Sequence, residues 1–313
     1  MFFMLNTTKS NIDIEKYIST KKSIIDTKLK QIFQEDKYSY PKELWDAIKY
    51  SLLDGGKRFR GILCIAAYES IEPENLSLMD ECLIVASSIE IIHAMSLIHD
   101  DLPCMDNDDL RRGKPSCHKA FSESTAILAG DAMLTLPFHL IIEDCKNLSS
   151  LQKINIINIL SKVTTFGLTP GQILDLSIIK QKSSLETLEK IYALKTANLI
   201  AASVTCGALV SKEFTSLKET PINHLMNFGI KAGIAFQIID DILDITSDTK
   251  TLGKTSGKDE KIQKPTYPLL VGLTESKKIA NSMIEEAKGE LQNISLSQSI
   301  LPSLADFILK RIN

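Results

Sequence analysis

The chain has 313 residues, 44% of them hydrophobic, and a formal net charge of −3. A length above the usual domain size without a linker-like segment predicts one large domain covering residues 1–313 with a sizeable core. Because the lysines and arginines are dispersed and the net charge is small, we do not expect a nucleic-acid surface.

Cysteine usage and the N-terminus favour a reducing compartment. The six cysteines show no paired metal-ligand spacing and lie mostly in apolar stretches, which is typical of reduced core thiols. The N-terminal MFFML run has no basic segment before it and is too short for the core of a signal peptide. Apolar stretches such as residues 199–210 are shorter than the roughly 20 residues that a membrane span needs. We therefore expect a cytoplasmic protein without a membrane span.

In chain order, the predicted elements are helices almost throughout. Apolar residues recur at three- and four-residue spacing, strand-like alternation is scarce, and only 10 prolines and 14 glycines interrupt the pattern. The predicted helices span residues 11–34, 41–54, 58–70, 76–102, 123–145, 151–167, 171–179, 185–209, 219–246, 265–291 and 297–311. Two connections, residues 103–122 and 247–264, are long and polar. The predicted fold class is therefore all-α, a helical bundle.

Each long connection follows a cluster of aspartates. DDLPCMD covers residues 100–106 and DDILD covers residues 240–244, and each closes an apolar helix. Carboxylates gathered at an apolar helix end repel one another unless cations share them. Oxygen ligands of this kind suit Mg²⁺, whose coordination is usually completed by water and substrate phosphates. The pair of clusters indicates metal-dependent diphosphate chemistry, although either cluster alone also fits solvated helix-end charges.

The spacing within each cluster indicates which aspartates can share an ion. Asp240 and Asp244 lie about 40° apart around a helix, so they share a face, while Asp241 points partly aside. Asp100 and Asp106 would lie roughly 120° apart on an unbroken helix. The proline between them is expected to disrupt the last turn and to bring Asp106 back toward Asp100.

Basic residues accompany both clusters. GGKRFR at residues 55–60 offers a tight glycine turn and a dense set of donors suited to an oxyanion, although a solvated charge run has the same pattern. Arg111 and Arg112 follow the first cluster and, being adjacent, point in different directions, so they can serve two different anions. Lys195 lies within an apolar helix, where it either snorkels to the surface or enters a cleft.

Two histidines flank the segment that leads into the first cluster. Either fits a metal ligand, a phosphate donor or a satisfied core residue, and the core role is favoured for His99. His93 lies about 20° around the helix from Asp100, so it sits under the same face and can donate to a bound anion. No nucleophile paired with a base and no glycine-rich dinucleotide loop is evident.

These motifs together resemble those of the trans-isoprenyl diphosphate synthases, the short-chain polyprenyl synthase family that includes farnesyl and geranylgeranyl diphosphate synthases. The similarity covers nearly the whole chain. It rests on GGKRFR, HDDLPCMDNDDLRRGKPSCH, LAGDAM, GQILD, LKTA, FQIIDDILD, LGKTSGKD and KPTYP, in the family's order. One departure is Gly61, where the family usually has proline. The resemblance implies a single-domain, isoprenoid-synthase-type bundle around a central catalytic cavity, and a homodimer.

The resemblance also implies a reaction, the Mg²⁺-dependent head-to-tail (1'-4) condensation of isopentenyl diphosphate with dimethylallyl or geranyl diphosphate. Departure of pyrophosphate leaves an allylic cation, which the double bond of isopentenyl diphosphate attacks. Three Mg²⁺ ions are implied, with Mn²⁺ as a potential substitute. The alternatives are a class I terpene cyclase and a non-catalytic synthase subunit. The basic motif and the complete set of aspartates count against them.

Residue roles carry over from the family position by position. The implied metal ligands are Asp100, Asp101, Asp106, Asp240, Asp241 and Asp244. The implied contacts of isopentenyl diphosphate are Lys57, Arg60, His93 and Arg112. The implied contacts of the allylic diphosphate are Arg111, Lys195, Thr196, Gln237, Lys254 and Lys264. The implied catalytic group is Asp100, Asp101, Asp106, Lys195 and Asp240.

The length of the product depends on the floor of the hydrocarbon pocket, which the resemblance assigns to Met95 and Ser96. Met95 lies roughly 7.5 Å along the helix from Asp100. Methionine there is typical of plant-type geranylgeranyl synthases and favours a C20 product, whereas the bacterial look of the chain and the lack of a transit peptide favour C15. Because methionine is flexible and can fill a gap, we predict farnesyl diphosphate, with geranylgeranyl diphosphate as the alternative.

Overall fold

The computed structural model describes residues 13–34, 38–53, 55–178, 184–212, 214, 219–246 and 265–310. The helices are α1 (Ile14–Ile32), α2 (Lys42–Leu53), α3 (Phe59–Ile71), α4 (Met79–Asp100), α5 (Cys117–Ala120), α6 (Glu123–Asp144), α7 (Ser150–Val163), α8 (Thr169–Ile178), α9 (Leu185–Tyr192), α10 (Asn198–Val210), α11 (Glu219–Thr246), α12 (Tyr267–Val271), α13 (Leu273–Gln292) and α14 (Leu301–Leu309). The two π-helical segments are π1 (Thr164–Leu168) and π2 (Ala193–Ala197). The two strands are β1 (Leu110–Arg111) and β2 (Lys114–Pro115). The all-α prediction is confirmed.

The core is built around helices that are apolar on most of their surface. α10 is buried from Leu199 to Val210, and it packs against α3, α7 and α11. A helix that is apolar all round has to be buried in this way. Gly207 lets α10 approach α3 closely, since a Cβ there would lie 2.0 Å from the carbonyl oxygen of Cys64. Five of the six cysteines are buried free thiols, as their apolar surroundings predict.

The helix boundaries follow capping and glycine signals. Ser149 caps α7 in a capping box with Gln152, in which each side chain accepts from the other residue's backbone N–H. The helix predicted over 265–291 is instead broken into α12 and α13 at Gly272. This glycine has φ of 84°, which a helix cannot contain. The connection predicted over 103–122 contains the short hairpin and α5.

Three described helical stretches are long and apolar enough to span a membrane by length and composition alone: Met79–Asp100, Glu123–Asp144 and Leu185–Val210. The sequence argument that no apolar stretch is long enough is therefore wrong for these helices, because single charged residues interrupt an apolar run without ending the helix. Within the fold, 72% and 78% of the first and third apolar windows are buried, but only 44% of the second. Core packing thus accounts for most of the apolar surface of α4 and α10, and it leaves part of α6 outside.

Candidate active site

The C-terminal turn of α4 carries the first aspartate cluster and folds back on itself. The backbone N–H of Asp106 donates to the carbonyl oxygen of Asp100 at 2.9 Å, and that of Asn107 donates to the carbonyl oxygen of Leu102 at 3.1 Å. Pro103 has no N–H to continue the helix and restricts the residue before it. The predicted return of Asp106 toward Asp100 is therefore confirmed.

Asp100 faces Lys195 across the site. The Lys195 ammonium lies 3.4 Å from Asp100 Oδ2 and donates to Asp175 Oδ2 at 2.7 Å. Burial raises the pKa of Asp100 to about 6, Asp106 adds to the rise, and Lys195 opposes it. Burial would lower the pKa of Lys195, but the charges of Asp100 and Asp175 raise it more. Lys195 therefore stays charged and enters the cleft instead of snorkelling to the surface.

The position of Lys195 depends on a close approach between α8 and π2. A Cβ at Gly171 would lie 2.6 Å from the backbone nitrogen of Lys195, so only glycine fits there. Asp175 follows Gly171 by four residues and thus shares its face of α8, toward Lys195. The sequence analysis quoted GQILD but assigned no role to Asp175. The sequence signal that could have identified Asp175 was an acidic residue among the apolar side chains of a short helix.

The hairpin after the first cluster sends its two arginines in different directions. Arg112 and Gly113 form its two-residue turn with φ of 55° and 76°, the pattern of a type I′ turn. Arg111 Nε lies 3.0 and 3.1 Å from the two carboxylate oxygens of Asp101, and its Nη2 also donates to Oδ1. Arg112 Nη1 donates to the carbonyl oxygen of Gly55 at 3.0 Å. The predicted divergence of the arginines is confirmed.

A second basic region lies at the N-terminus of α3. Arg60 Nη1 lies 3.3 Å from His93 Nε2, while Arg60 Nε is buried without a hydrogen-bond partner in the described part of the chain. Burial lowers the pKa of His93 well below its usual value, and Arg60 and Arg112 lower it further. The ring is therefore neutral, and its Nε2 accepts from Arg60. Lys57, three residues before Arg60 in the chain, is exposed. Donation from His93 to an anion stays a prediction.

A buried carboxylate lies beneath this basic region. Glu90 is 2% exposed, its Oε1 accepts from the backbone N–H of Gly61 at 2.9 Å, and its Oε2 lies 3.8 Å from Arg58 Nη1. Proline, usual at the position of Gly61 in the resembling family, has no N–H to donate. Gly61 therefore supplies a backbone N–H that proline would lack, and the buried Glu90 carboxylate accepts a hydrogen bond from it. The sequence analysis missed Glu90, because its partners are distant in the chain.

The second aspartate cluster reaches the site through the contact between α3 and α11. The rings of Phe59 and Phe236 stack with centroids 6.1 Å apart and planes 16° apart. Asp240 follows Phe236 by one turn, and its charge opposes the lowering of the Arg60 pKa that burial causes. Asp244 lies one turn further along the same face and is half-buried. The stacking of Phe236 on Phe59 therefore brings the helix that carries the second cluster next to the basic region of Arg60.

Protein donors engage the buried carboxylate of Asp241. Its Oδ2 accepts from the Tyr192 hydroxyl and from the backbone N–H of Tyr267 at 3.0 Å, and Gln237 Nε2 lies 3.4 Å from its Oδ1. Thr196 Oγ1 donates to Gln237 Oε1 at 3.1 Å. The prediction that Asp241 points aside is confirmed. Its role as a metal ligand stays a prediction, and a metal ion there would have to compete with these donors, as it would with Arg111 at Asp101.

The carboxylates present fit Mg²⁺ as a shared ion. Asp100, Asp106 and Asp240 are candidates, and burial, with a smaller contribution from the charge of Asp106, raises the pKa of Asp100 to about 6, a cost that a bound cation would relieve. Among the described residues, no three acidic, histidine or cysteine side chains form a cation site by themselves. Mg²⁺ is usually bound by one or two carboxylates, with water and substrate phosphates completing its coordination. The predicted phosphate ligands Lys254 and Lys264 lie outside the described residues.

The predicted floor residues lie on α4 below the aspartates. Met95 is 6% exposed, and Ser96 is half-buried with its hydroxyl donating to the carbonyl oxygen of His93 at 2.9 Å. The hydroxyl is thus turned onto its own helix, so Ser96 adds little bulk. Neither residue presents a rigid ring at this depth.

Comparison with known proteins adds to this geometry. The sequence profile of the polyprenyl synthetase family matches residues 41–300. The chain is 42% identical over 307 residues to a geranylgeranyl diphosphate synthase of Cyanophora paradoxa, covering 97% of this chain and 99% of that protein. It is 42% identical over 276 residues to a chloroplastic geranylgeranyl pyrophosphate synthase of Capsicum annuum, covering 87% and 73%. Among solved structures, a geranyltransferase of Helicobacter pylori complexed with magnesium and isoprenyl diphosphate is similar, with TM-score 0.82, 32% identity and coverage of 97% and 98%.

Proposed function

The chain belongs to the polyprenyl synthetase family of prenyltransferases, and on that premise we propose that it condenses isopentenyl diphosphate with an allylic diphosphate in a Mg²⁺-dependent reaction. The observation that carries the proposal is the convergence of two charged groups on one site. Asp100 lies 3.4 Å from Lys195 on one side. On the other side, Phe236, one turn before Asp240, stacks on Phe59, the residue before Arg60, with ring centroids 6.1 Å apart. Carboxylates for a metal and cations for two diphosphates are therefore brought together.

The allylic diphosphate is held on the side of Lys195. Asp100, Asp106 and Asp240 would hold Mg²⁺, which when bound neutralises the diphosphate and stabilises charge on the departing oxygen. Lys195, kept charged by Asp175, places a second positive charge where the pyrophosphate leaves. Because Lys195 is fixed by its ion pairs before substrate arrives, little reorganisation is needed as charge develops.

Isopentenyl diphosphate is held on the side of α3. The buried Nε of Arg60 has no protein partner in the described part of the chain, so it is a donor that an anion can satisfy. His93 keeps the other end of the guanidinium in place, and Arg112 and Lys57 add charge. The double bond of the bound isopentenyl group then attacks the allylic cation. A proton is lost to the released pyrophosphate, and the apolar helices around the site exclude water.

We propose geranylgeranyl diphosphate as the main product, in place of the farnesyl diphosphate that the sequence analysis favoured. Met95 and Ser96 support this choice, since neither places a rigid ring where a C15 chain would end. Relatives at 42% identity are named geranylgeranyl diphosphate synthases, whereas the solved geranyltransferase is 32% identical. Farnesyl diphosphate stays the second candidate, because that structural neighbour resembles the whole chain.

We also propose that two copies pair through the outer faces of α6 and α7. Large apolar side chains are exposed on both helices, with Leu128 at 60% and Ile154 at 61%. Further exposed apolar side chains on these helices are Ile127, Ile142 and Leu151. Several large apolar side chains exposed on two neighbouring helices are a feature of protein interfaces. The homodimer and the cytoplasmic location that the sequence analysis expected stay predictions.

The test is to incubate the purified protein with Mg²⁺, isopentenyl diphosphate and dimethylallyl, geranyl or farnesyl diphosphate in turn, and to identify products by chain length. We expect farnesyl diphosphate to be extended to a C20 product, and Met95→Phe to stop the chain at C15 because the ring raises the floor. Ser96→Ala is the control, since its hydroxyl faces the helix. Unused farnesyl diphosphate would remove the C20 assignment. No condensation with any primer would remove the synthase proposal and favour a cyclase or a non-catalytic subunit.

A further inference from the structure

The last turn of α4 is held from three directions. Consecutive residues of a helix point about 100° apart, so three of them in a row face three different neighbours. Asp100 faces Lys195 of π2, at 3.4 Å. Asp101 faces Arg111 of β1, which donates to both of its oxygens. His99, the residue before them, faces α6.

His99 meets α6 at a glycine. Its Nε2 lies 3.3 Å from the carbonyl oxygen of Ile127 and 3.9 Å from Asp131 Oδ1. A Cβ at Gly130 would lie 2.0 Å from the same nitrogen, and the next two atoms it would meet also belong to the imidazole. The ring thus occupies the space that a side chain at Gly130 would need. It is 29% exposed, so the core role that the sequence analysis favoured for His99 is wrong.

We infer that His99 is a positioning residue that sets the rotation of the α4 terminus against α6, so that Asp100 and Asp101 face the metal and diphosphate. This inference rests on the proposed function, because it takes Asp100 as a metal ligand. The other two anchors are charged contacts of the aspartates themselves, so a cation bound by Asp100 would compete with Lys195 for its carboxylate. The contacts of His99 with the Ile127 carbonyl, with Asp131 and with Gly130 involve none of the groups proposed to hold the metal or diphosphate.

The contact itself is tested by a double-mutant cycle on His99 and Gly130. We expect Gly130→Ala alone to lower the thermal midpoint, because its methyl group collides with the imidazole. In the His99→Ala background the same substitution should cost nothing and raise the midpoint slightly, since alanine favours helix over glycine. If Gly130→Ala lowered the thermal midpoint equally in the wild-type and His99→Ala proteins, the imidazole would not be what Gly130 accommodates, and the inference would fail.

The effect on the metal site is measured without turnover and then with it. We would titrate Mg²⁺ against the thermal midpoint in the presence of inorganic pyrophosphate, and then against the rate of condensation. We expect His99→Ala to need about tenfold more Mg²⁺ in both assays, the usual size of effects from residues behind metal ligands. The KM for isopentenyl diphosphate should change less than about twofold, because His93 lies nearly two turns away along α4 and Arg60 belongs to a different helix, α3. His99→Gln, which keeps a donor for the Ile127 carbonyl, should recover most of the Mg²⁺ affinity.

A matched control distinguishes a specific effect on Mg²⁺ binding from a general loss of stability. Leu140 is fully buried in α6 far along the helix from the contact, so Leu140→Ala loosens the same helix without touching the α4 terminus. We expect it to lower the thermal midpoint and to leave the Mg²⁺ requirement unchanged. If His99→Ala needs no more Mg²⁺ than the wild type or Leu140→Ala, the inference is overturned while the proposed function stands. A wild-type protein without any Mg²⁺ response overturns both.

Discussion

Replacement of Asp100 by asparagine separates what this carboxylate does for the fold from what it does in the reaction. Burial, together with the charge of Asp106, raises its pKa from 3.8 to about 6. The folded protein without metal therefore holds a proton on Asp100 more tightly than the unfolded chain does. This contribution to stability is fully present below the unfolded pKa and is lost as the pH rises through about 6.

The magnitude follows from the size of the pKa shift. A shift of about 2 units corresponds to about 3 kcal/mol at 1.36 kcal/mol per unit. Asparagine stands in for the neutral carboxyl group, so at pH 8 without Mg²⁺ the Asp100→Asn variant should be more stable than the wild type by up to that amount. With an unfolding entropy near 2.1 cal/mol/K per residue, the thermal midpoint of a chain of this length should rise by about 5 °C.

The assay is thermal unfolding in EDTA between pH 4 and pH 8. The difference in thermal midpoint between Asp100→Asn and the wild type should grow between pH 4 and pH 6 and then stay constant. Mg²⁺ with pyrophosphate should reverse the order by stabilising the wild type alone, and the variant should have no turnover. Asp131→Asn, at an exposed position of α6, should show no such gap. An Asp100→Asn variant no more stable than the wild type at pH 8 in EDTA would refute the burial argument.

Two further predictions concern contacts behind the site. Gly171→Ala should lower the free energy of unfolding by roughly 1–3 kcal/mol, the usual penalty for overpacking, because its Cβ would lie 2.6 Å from the backbone nitrogen of Lys195. The same substitution should remove most of the activity, since it displaces Lys195. Gly289→Ala, where a Cβ meets nothing within 4 Å, should leave activity unchanged and raise stability slightly in parallel denaturation curves. Tyr192→Phe should cost about 1.5–3 kcal/mol in urea unfolding by removing a donor to the buried Asp241, and an unchanged midpoint would contradict this role.

Local rules predicted the parts of the site that depend on one stretch of chain. The helical period placed Asp240 and Asp244 on one face and Asp241 aside. A proline without an N–H predicted that the chain folds back between Asp100 and Asp106. The adjacency of two arginines predicted that they would reach different partners. In each case the geometry is set within about two turns of helix, so no knowledge of the fold was needed.

The parts that sequence reasoning missed depend on contacts between distant stretches. Asp175 acquires its role only because α8 lies against π2, which brings it to Lys195. Glu90 acquires its partners, the amide of Gly61 and the guanidinium of Arg58, only because α4 lies against α3. The break at Gly272 was a local signal, but a lone glycine in a helical pattern is usually tolerated, and its positive φ is visible only in the structure.

The carboxylate of Asp241 joins the two ends of the stretch that carries Lys254 and Lys264, because it belongs to α11 and accepts from the backbone N–H of Tyr267. α11 also packs against α12 and α13, so this hydrogen bond is one of several contacts that hold the segment after the stretch. It differs from an apolar contact in its chemistry, because a buried carboxylate that loses a donor keeps an uncompensated charge, whereas a lost apolar contact only opens space. The two ends of the stretch are therefore coupled, since a change that displaces Tyr267 leaves a buried carboxylate of α11 with fewer donors.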